Sequence, residues 1–164
     1  MTDVSAGSNH SLAVSKEGIV YSWGRGSQGQ LGYRTDSPQN SDIPRQAQVV
    51  SHLTVIKAKG GVGYSAAVTE EGKLALWGAY SGLLGASLQG QDQSSITTKI
   101  ESEKNLCIVQ SLNADESYRV GHIANGDNYL MAIVVHHSGN DESAMDVDRQ
   151  GKMLLAWHGC VVAI

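Results

Sequence analysis

The sequence predicts an all-β fold assembled from small repeated sheets. Its 164 residues include 19 Gly but only 2 Pro and no Phe, and many glycines with few prolines indicate many tight turns between short strands. Short segments alternate apolar and polar residues, which is the pattern of half-buried strands. One such segment recurs further along the chain, and no sustained 3.6-residue apolar period lies between the copies, so α-helices are not required.

A long gapless repeat is the main observation. Residues 4–24, VSAGSNHSLAVSKEGIVYSWG, align with residues 58–78, AKGGVGYSAAVTEEGKLALWG, at an offset of 54. After one deletion the copies continue as GQLG at 29–32 and GLLG at 82–85. Self-similarity at a fixed period is the signature of a repeat architecture. The matched positions to which we assign a structural role are Gly7, His10, Ser11, Gly18, Trp23, Gly24, Gly29 and Gly32 in the first copy, and Gly61, Tyr64, Ser65, Gly72, Trp77, Gly78 and Gly85 in the second.

A weaker third copy follows. Residues 123–134, IANGDNYLMAIV, place Gly126 on Gly7 and Tyr129 on His10. The copy is interrupted by an insertion at about 135–150 and resumes as GKMLLAWHG, whose structural positions are Gly151 and Trp157. We predict one domain over residues 1–164, with repeats at 3–53, 54–118 and 119–164.

Each unit has the pattern of strand, four-residue turn and strand. The turns SKEG and TEEG end in glycine, where a positive φ is needed, and place charged residues at exposed hairpin tips. Residues 54–59, TVIKAK, supply a further strand, whereas the Gln/Ser/Thr-rich residues 87–105 indicate an extended loop between units. Units of about 50 residues with three or four strands predict propeller blades, which pack face to face because one small sheet cannot bury both faces alone.

These residues resemble the repeats of the regulator of chromosome condensation family. The resemblance is carried by AGSNHSLAV…EGIVYSWGRGSQGQLG in the first unit, GGVGYSAAV…EGKLALWG…GLLG in the second and IANGDNYLMAIV in the third. It implies a seven-bladed β-propeller, of which this sequence supplies about three blades, so we expect an open or partial propeller. Open blade edges expose unpaired backbone groups and invite self-association.

A G-x-G-x-x-G pattern at Gly24, Gly26 and Gly29 follows a predicted strand. A dinucleotide-binding loop of this kind must lead into a helix whose N-terminus faces the pyrophosphate. The residues that follow, QLGYRTDSPQNSDIP, are rich in turn formers, and the second copy, GAYSGLLG, lacks the pattern. We therefore interpret these glycines as architectural and predict no cofactor.

Neither the histidines nor the acidic residues form a recognisable catalytic or metal site. His10 exchanges with Tyr64 and Tyr129 between copies, which indicates a structural hydrogen bond in each unit. The insertion fits no calcium or zinc pattern, but insertions in repeat proteins emerge as surface loops that often bind partners. Its candidate interaction residues are His136, His137, Asp141, Glu142, Asp146 and Asp148.

Charge and composition narrow the function classes. Lys+Arg 12 against Asp+Glu 16 gives a net charge of −4, without the basic stripe expected of a nucleic-acid binder. Two cysteines do not make a disulfide framework, and no signal peptide or membrane span is evident. We expect an intracellular protein, cytoplasmic or nuclear, that does not contact membrane and does not bind nucleic acid directly.

The sequence predicts a non-catalytic protein-interaction scaffold that presents blade loops to protein partners. The resemblance implies partners such as a small GTPase or a ubiquitin-ligase component. The alternative function is guanine-nucleotide exchange on a Ran-type small GTPase. Chromatin association is a third hypothesis, but the N-terminal residues MTDVSAG lack the basic arm on which it relies in the family.

Overall fold

A computed structural model shows an all-β chain. It describes residues 1–34, 39–79, 97–101, 106–111, 118–126, 130–136, 152–157 and 160–163. The strands are β1 (Asp3–Ala6), β2 (His10–Val14), β3 (Val20–Gly24), β4 (Ser41–Gln46), β5 (Val55–Gly60), β6 (Tyr64–Thr69), β7 (Leu74–Gly78), β8 (Thr97–Glu101), β9 (Leu106–Ser111), β10 (Tyr118–Asn125), β11 (Leu130–His136), β12 (Lys152–Trp157) and β13 (Cys160–Ala163). A single 3₁₀ turn, Gln48–Val50, is the only helical element in these ranges. Among them, no helix is long and apolar enough to cross a membrane.

The strands form three antiparallel sheets that succeed one another along the chain. The first has the order β1-β2-β3-β4, the second β5-β6-β7-β9-β8 and the third β10-β11-β12-β13. Each sheet is one blade, so the predicted fold class, an all-β partial propeller of about three blades, is confirmed.

The second sheet contains one strand more than the others. We expected residues 87–105 to form an extended loop, but Thr97–Glu101 is strand β8 and pairs with β9. The expectation was therefore wrong for these five residues, whose sequence TTKIE is rich in the β-branched types that favour strands. The rest of that segment lies outside the described residues.

The repeat seen in the sequence is also a repeat of backbone pairing. His10 lies opposite Gly24 in the first sheet, and Tyr64 lies opposite Gly78 in the second. The hairpin turns match as well, because Gly18 and Gly72 adopt φ values of 78° and 75°. Positions 54 residues apart therefore occupy equivalent places in neighbouring sheets.

Successive sheets pack face to face. We call the face of a sheet that lies toward the following sheet its forward face, and the opposite face its rear face. The core between the first two sheets combines forward-face residues of the first sheet, the 3₁₀ turn and rear-face residues of the second, among them Leu12, Val14, Val20, Val49, Val50, Ala58, Ala67, Ala75 and Trp77. Burial of this apolar area is the main force that holds one sheet to the next.

The innermost strands add polar contacts between sheets. Asp3 on β1 accepts a hydrogen bond from the backbone N–H of Ala58 at 3.0 Å, and Ser5 accepts one from the N–H of Gly60 at 3.2 Å. The carbonyl of each hairpin glycine, Gly18 or Gly72, also accepts a backbone hydrogen bond from the next sheet. These bonds fix the offset between adjacent sheets.

Gly32 is a position where a side chain has no room. Its φ is 68°, and an added Cβ would lie 2.7 Å from Val49 Cγ2 and 3.0 Å from Trp77 Nε1. We expect Gly32→Ala to lower the free energy of unfolding by about 2–4 kcal/mol, from left-handed backbone strain and overpacking together. Urea denaturation measures this loss.

Gly29→Ala is the matched control. Gly29 has a φ of 81° but is exposed, so only the backbone cost of about 1 kcal/mol applies. Equal losses in the two variants would show that packing beneath Trp77 does not constrain position 32.

Candidate functional site

Three loops meet at one end of the first two sheets. They comprise residues 7–9, 25–30 and 61–63, and we call them the loop rim. The hairpin tips SKEG and TEEG lie at the opposite end, because they join the other ends of the antiparallel pairs β2–β3 and β6–β7. The exposed side chains of the loop rim are Ser8, Asn9, Arg25, Ser27, Gln28 and Val62.

Backbone hydrogen bonds join the loops of the rim to one another. The N–H of Arg25 donates to the carbonyl of Asn9 at 2.8 Å, and the N–H of Ser8 donates across to Gly61 of the second sheet at 3.3 Å. Ala79 donates to Gly63 at 2.9 Å, which repeats the first of these bonds in the second sheet. The rim backbone is therefore fixed before any partner arrives.

The longest rim loop is folded onto itself. The N–H of Gly26 donates to the side-chain oxygen of Asn40 at 3.0 Å, and the N–H of Gln28 donates to Gln30 Oε1 at 2.9 Å. The N–H of Gly29 donates to the Gly26 carbonyl at 2.9 Å. These internal bonds engage the amide groups that a phosphate-binding loop would direct at its ligand, and no helix follows Gly29 in the described residues up to 34.

A buried polar network supports the rim from below. The backbone carbonyl of Gln30 accepts hydrogen bonds from Trp77 Nε1 at 2.9 Å and from the Ser65 hydroxyl at 2.8 Å. His10 Nε2 lies 2.8 Å from the Ser65 oxygen. Because the Ser65 proton goes to Gln30, the His10 Nε2–H is the donor in that contact. The first sheet, its long loop and the second sheet are thus joined through one carbonyl group.

The ring at position 10 or 64 packs on a glycine of its own sheet. A Cβ added to Gly7 would collide with the His10 ring, and one added to Gly61 would collide with the Tyr64 ring. The polar tip of each ring then reaches the following sheet, because the Tyr64 hydroxyl donates to the Gly126 carbonyl at 3.2 Å. Histidine and tyrosine therefore fill the same place in successive sheets.

Burial makes His10 a neutral imidazole. Loss of hydration lowers the pKa of His10 from 6.5 to about 4. Its Nδ1 is buried without a hydrogen-bond partner, so a second proton there would have no acceptor. This geometry supports a structural hydrogen bond and gives the ring no exposed atom for proton transfer.

The hairpin tips at the opposite end carry charged side chains. A hydrogen bond from the Ser15 hydroxyl lowers the pKa of Glu17, and Lys73, 2.6 Å away, lowers the pKa of Glu71. Both carboxylates are fully exposed, so these contacts add little to stability.

The candidate interaction residues of the insertion fall almost entirely outside the described part of the chain. His136 is the last residue of β11 and lies opposite Tyr118. The other five are not in the described ranges: His137, Asp141, Glu142, Asp146 and Asp148.

Three of the predicted structural positions, Gly85, Tyr129 and Gly151, also lie outside the described ranges, whereas Trp157 is the last residue of β12. Within the described residues, no three His, Cys, Asp or Glu side chains are grouped to hold a metal ion.

Two groups of contacts were not anticipated from the sequence. The role of the Gln30 carbonyl was missed, although the recurrence of GQLG as GLLG marked the loop. The second group lies along the innermost strands, where Lys57 Nζ is 2.7 Å from His122 Nδ1 and Lys59 pairs with Asp3 at 3.4 Å. No spacing rule could have found these pairs, because their partners are more than fifty residues apart in the chain.

Acid should weaken the fold through His10. A histidine whose pKa is lowered on folding stabilises the protein above its unfolded pKa of 6.5, and this stabilisation is lost as the pH falls toward 4. We expect the wild type to lose about 2 kcal/mol more than His10→Gln between pH 7 and pH 4.5, measured by urea denaturation. The glutamine keeps a donor for Ser65 but cannot titrate. Identical losses in both proteins would contradict a buried neutral His10.

Comparison with protein families shows two overlapping matches at the N-terminal part of the chain. Both are to the regulator of chromosome condensation (RCC1) repeat, over residues 17–68 and 1–30. Among curated proteins, the chain is 37% identical over 78 residues to the RCC1 domain-containing protein RUG3, mitochondrial, of Arabidopsis thaliana. It is 41% identical over 75 residues to the human E3 ubiquitin-protein ligase HERC2. These alignments cover 48% and 46% of this chain but only 17% and 2% of the relatives.

Two solved structures share the fold over almost the whole chain. Human WBSCR16 superposes with a TM-score of 0.59 at 20% identity, covering 98% of this chain and 37% of its own. Prp20p from Saccharomyces cerevisiae, described together with its binding to Gsp1p and histones, gives a TM-score of 0.54 at 19% identity, covering 94% of this chain and 33% of its own. Repeat matches, relatives and fold agree: residues 1–68 of the chain are regulator of chromosome condensation repeats, and the fold continues over almost the whole chain.

Proposed function

We propose that the chain is a non-catalytic protein-interaction scaffold and that the loop rim is its contact surface. The observation that carries this proposal is the fixed rim backbone, in which bonds within and between sheets hold loops from two repeats at the same end. A surface ordered in advance loses little conformational entropy when a partner binds. The rim therefore has the property that a binding surface requires.

The side chains of the rim suit a protein partner. Arg25 is exposed and donates through Nε to the Ser27 hydroxyl at 3.1 Å, which orients its guanidinium group. Gln28 and Asn9 add exposed amides, and Val62 is an exposed apolar side chain in the same surface. Arginine beside apolar and amide groups is a common composition of protein–protein interfaces.

The relatives support protein partners of more than one kind. HERC2 is a ubiquitin-protein ligase by name, and Prp20p is described with its binding to Gsp1p and histones. Because this chain spans a third or less of RUG3, HERC2 and Prp20p, a small GTPase or a ubiquitin-ligase component is proposed here only as a class of partner. We also propose an intracellular location, cytoplasmic or nuclear. The insertion, residues 135–150, is a second proposed contact surface.

Substitution of the rim tests the scaffold function. We expect the triple variant Arg25→Ala, Gln28→Ala and Val62→Ala to lose at least about tenfold in affinity for partners that the wild type captures from cell extract, because it removes an arginine, the residue type among these three that most often contributes strongly to binding energy, together with its neighbours. The matched control is Lys16→Ala, Glu17→Ala and Glu70→Ala at the opposite end. Quantitative mass spectrometry of captured proteins measures both. Partners lost equally from both variants, or from neither, would contradict the rim as the contact surface.

The same proteins test the exchange-factor alternative. A scaffold should not accelerate release of fluorescent GDP from a Ran-type GTPase, even at tens of micromolar. Acceleration that the rim variant abolishes and the control variant keeps would replace the scaffold function with nucleotide exchange at the same surface.

A further inference from the structure

Two adjacent residues at the end of β10 join the third sheet to the second. Asn125 donates a hydrogen bond through Nδ2 to the Gly60 carbonyl at 2.5 Å, and the Gly126 carbonyl accepts one from the Tyr64 hydroxyl at 3.2 Å. Both residues of the pair are half-buried. One dipeptide therefore carries two hydrogen bonds between neighbouring sheets, at the same end of the sheets as the loop rim.

Equivalent dipeptides occur in all three sheets but carry different side chains. They are Ala6-Gly7, Gly60-Gly61 and Asn125-Gly126, and the first residue of each pair ends the innermost strand of its sheet. In the first two sheets the glycine is required, because an added Cβ would collide with the ring of His10 or Tyr64. Of the three pairs, Asn125-Gly126 alone combines this glycine with a side-chain amide.

An asparagine followed by glycine is prone to deamidation, because glycine has no side chain to hinder attack by its own backbone nitrogen. The Gly126 nitrogen bonds to Cγ of Asn125, the Cγ–Nδ2 bond breaks, and the side-chain nitrogen leaves as ammonia with the proton of the Gly126 amide. Water then opens the resulting succinimide ring. Hydrolysis at Cγ gives aspartate, whereas hydrolysis at the main-chain carbonyl gives isoaspartate. The reaction requires water as its only co-reactant.

We propose that Asn125-Gly126 is a deamidation site and that its modification detaches the third sheet from the second at the rim end. The folded chain slows the reaction, because the extended strand and the bond to Gly60 hold the side chain of Asn125 in place. Attack therefore proceeds in those molecules in which this end of β10 opens locally. The proposal concerns a contact inside the chain and goes beyond the scaffold function.

Both products lose contacts that the amide makes. An aspartate at position 125 has no donor for the Gly60 carbonyl and places a negative charge against it, whereas the asparagine donates to it. An isoaspartate also adds a methylene to the main chain, which displaces the Gly126 carbonyl from the Tyr64 hydroxyl. Each product leaves half-buried polar groups without their partners, so the local opening that permitted the reaction becomes more frequent.

Peptide mass spectrometry tests the site. The 164-residue chain is incubated at pH 9 and 37 °C, either folded or in concentrated urea, and is digested at intervals. In urea, Asn125 should convert at least about fivefold faster than Asn40, which precedes a serine. In the folded chain the conversion of Asn125 should be about tenfold to a hundredfold slower, since it requires local opening. No conversion of Asn125 in the folded chain after about a hundred half-times of the reaction in urea would overturn the proposal.

Hydrogen exchange tests the effect of the modification. Backbone amides of β5 and β10 should exchange at least about fivefold faster in Asn125→Asp and in aged wild type than in fresh wild type, since a contact between the sheets is lost. Amides of β2 and β3, in the first sheet, should exchange at unchanged rates.

Asn125→Ala is the matched control. It introduces the residue type that Ala6 supplies at the equivalent place in the first sheet, and it cannot deamidate, so its exchange rates should not change during incubation. An Asn125→Asp variant that exchanges like fresh wild type would overturn the proposal. A change on ageing that is as large in Asn125→Ala as in wild type would also overturn it, because the change would then arise at another site.

Discussion

The structure depends on the backbone carbonyl of Gln30. This single acceptor receives the indole N–H of Trp77 and the hydroxyl of Ser65, and Ser65 in turn accepts from His10. Both lone pairs of the carbonyl are used, and all four groups are buried, where an unpaired polar group would cost roughly 1–3 kcal/mol. The requirement to satisfy these groups together fixes the long loop of the first sheet against the second sheet and, with it, the backbone of the loop rim.

The same requirement explains why the two faces of a sheet are not interchangeable. A rear face is complete only when a preceding sheet covers its apolar residues and accepts its indole N–H, as the first sheet does for Trp77. A forward face is complete only when a following sheet covers positions such as Val14 and Val68.

Much of the fold could be predicted because the repeat is visible residue by residue. Trp23-Gly24 over Trp77-Gly78 located equivalent strands, and the exchange of His10 for Tyr64 pointed to one polar contact per sheet. The partners in that contact could not be predicted, because Ser65 and Gln30 become neighbours of His10 only when two sheets pack. Strand β8 was missed for a related reason, since Thr97–Glu101 has no counterpart in the first copy. The sequence repeat thus predicts the strands of each sheet, whereas the hydrogen bonds between sheets depend on how the sheets pack.

Removal of one hydroxyl from each of two equivalent serines tests the central role of the Gln30 network. Ser65 bridges His10 and Gln30, whereas Ser11 occupies the same place in the first sheet, where no described residue bonds its hydroxyl. By urea denaturation at pH 7, Ser65→Ala should lower the free energy of unfolding by about 2 kcal/mol, because the His10 N–H loses its acceptor in a buried site. Ser11→Ala should change it by less than about 0.5 kcal/mol. Equal effects of the two substitutions would contradict a network that holds the sheets together through this carbonyl.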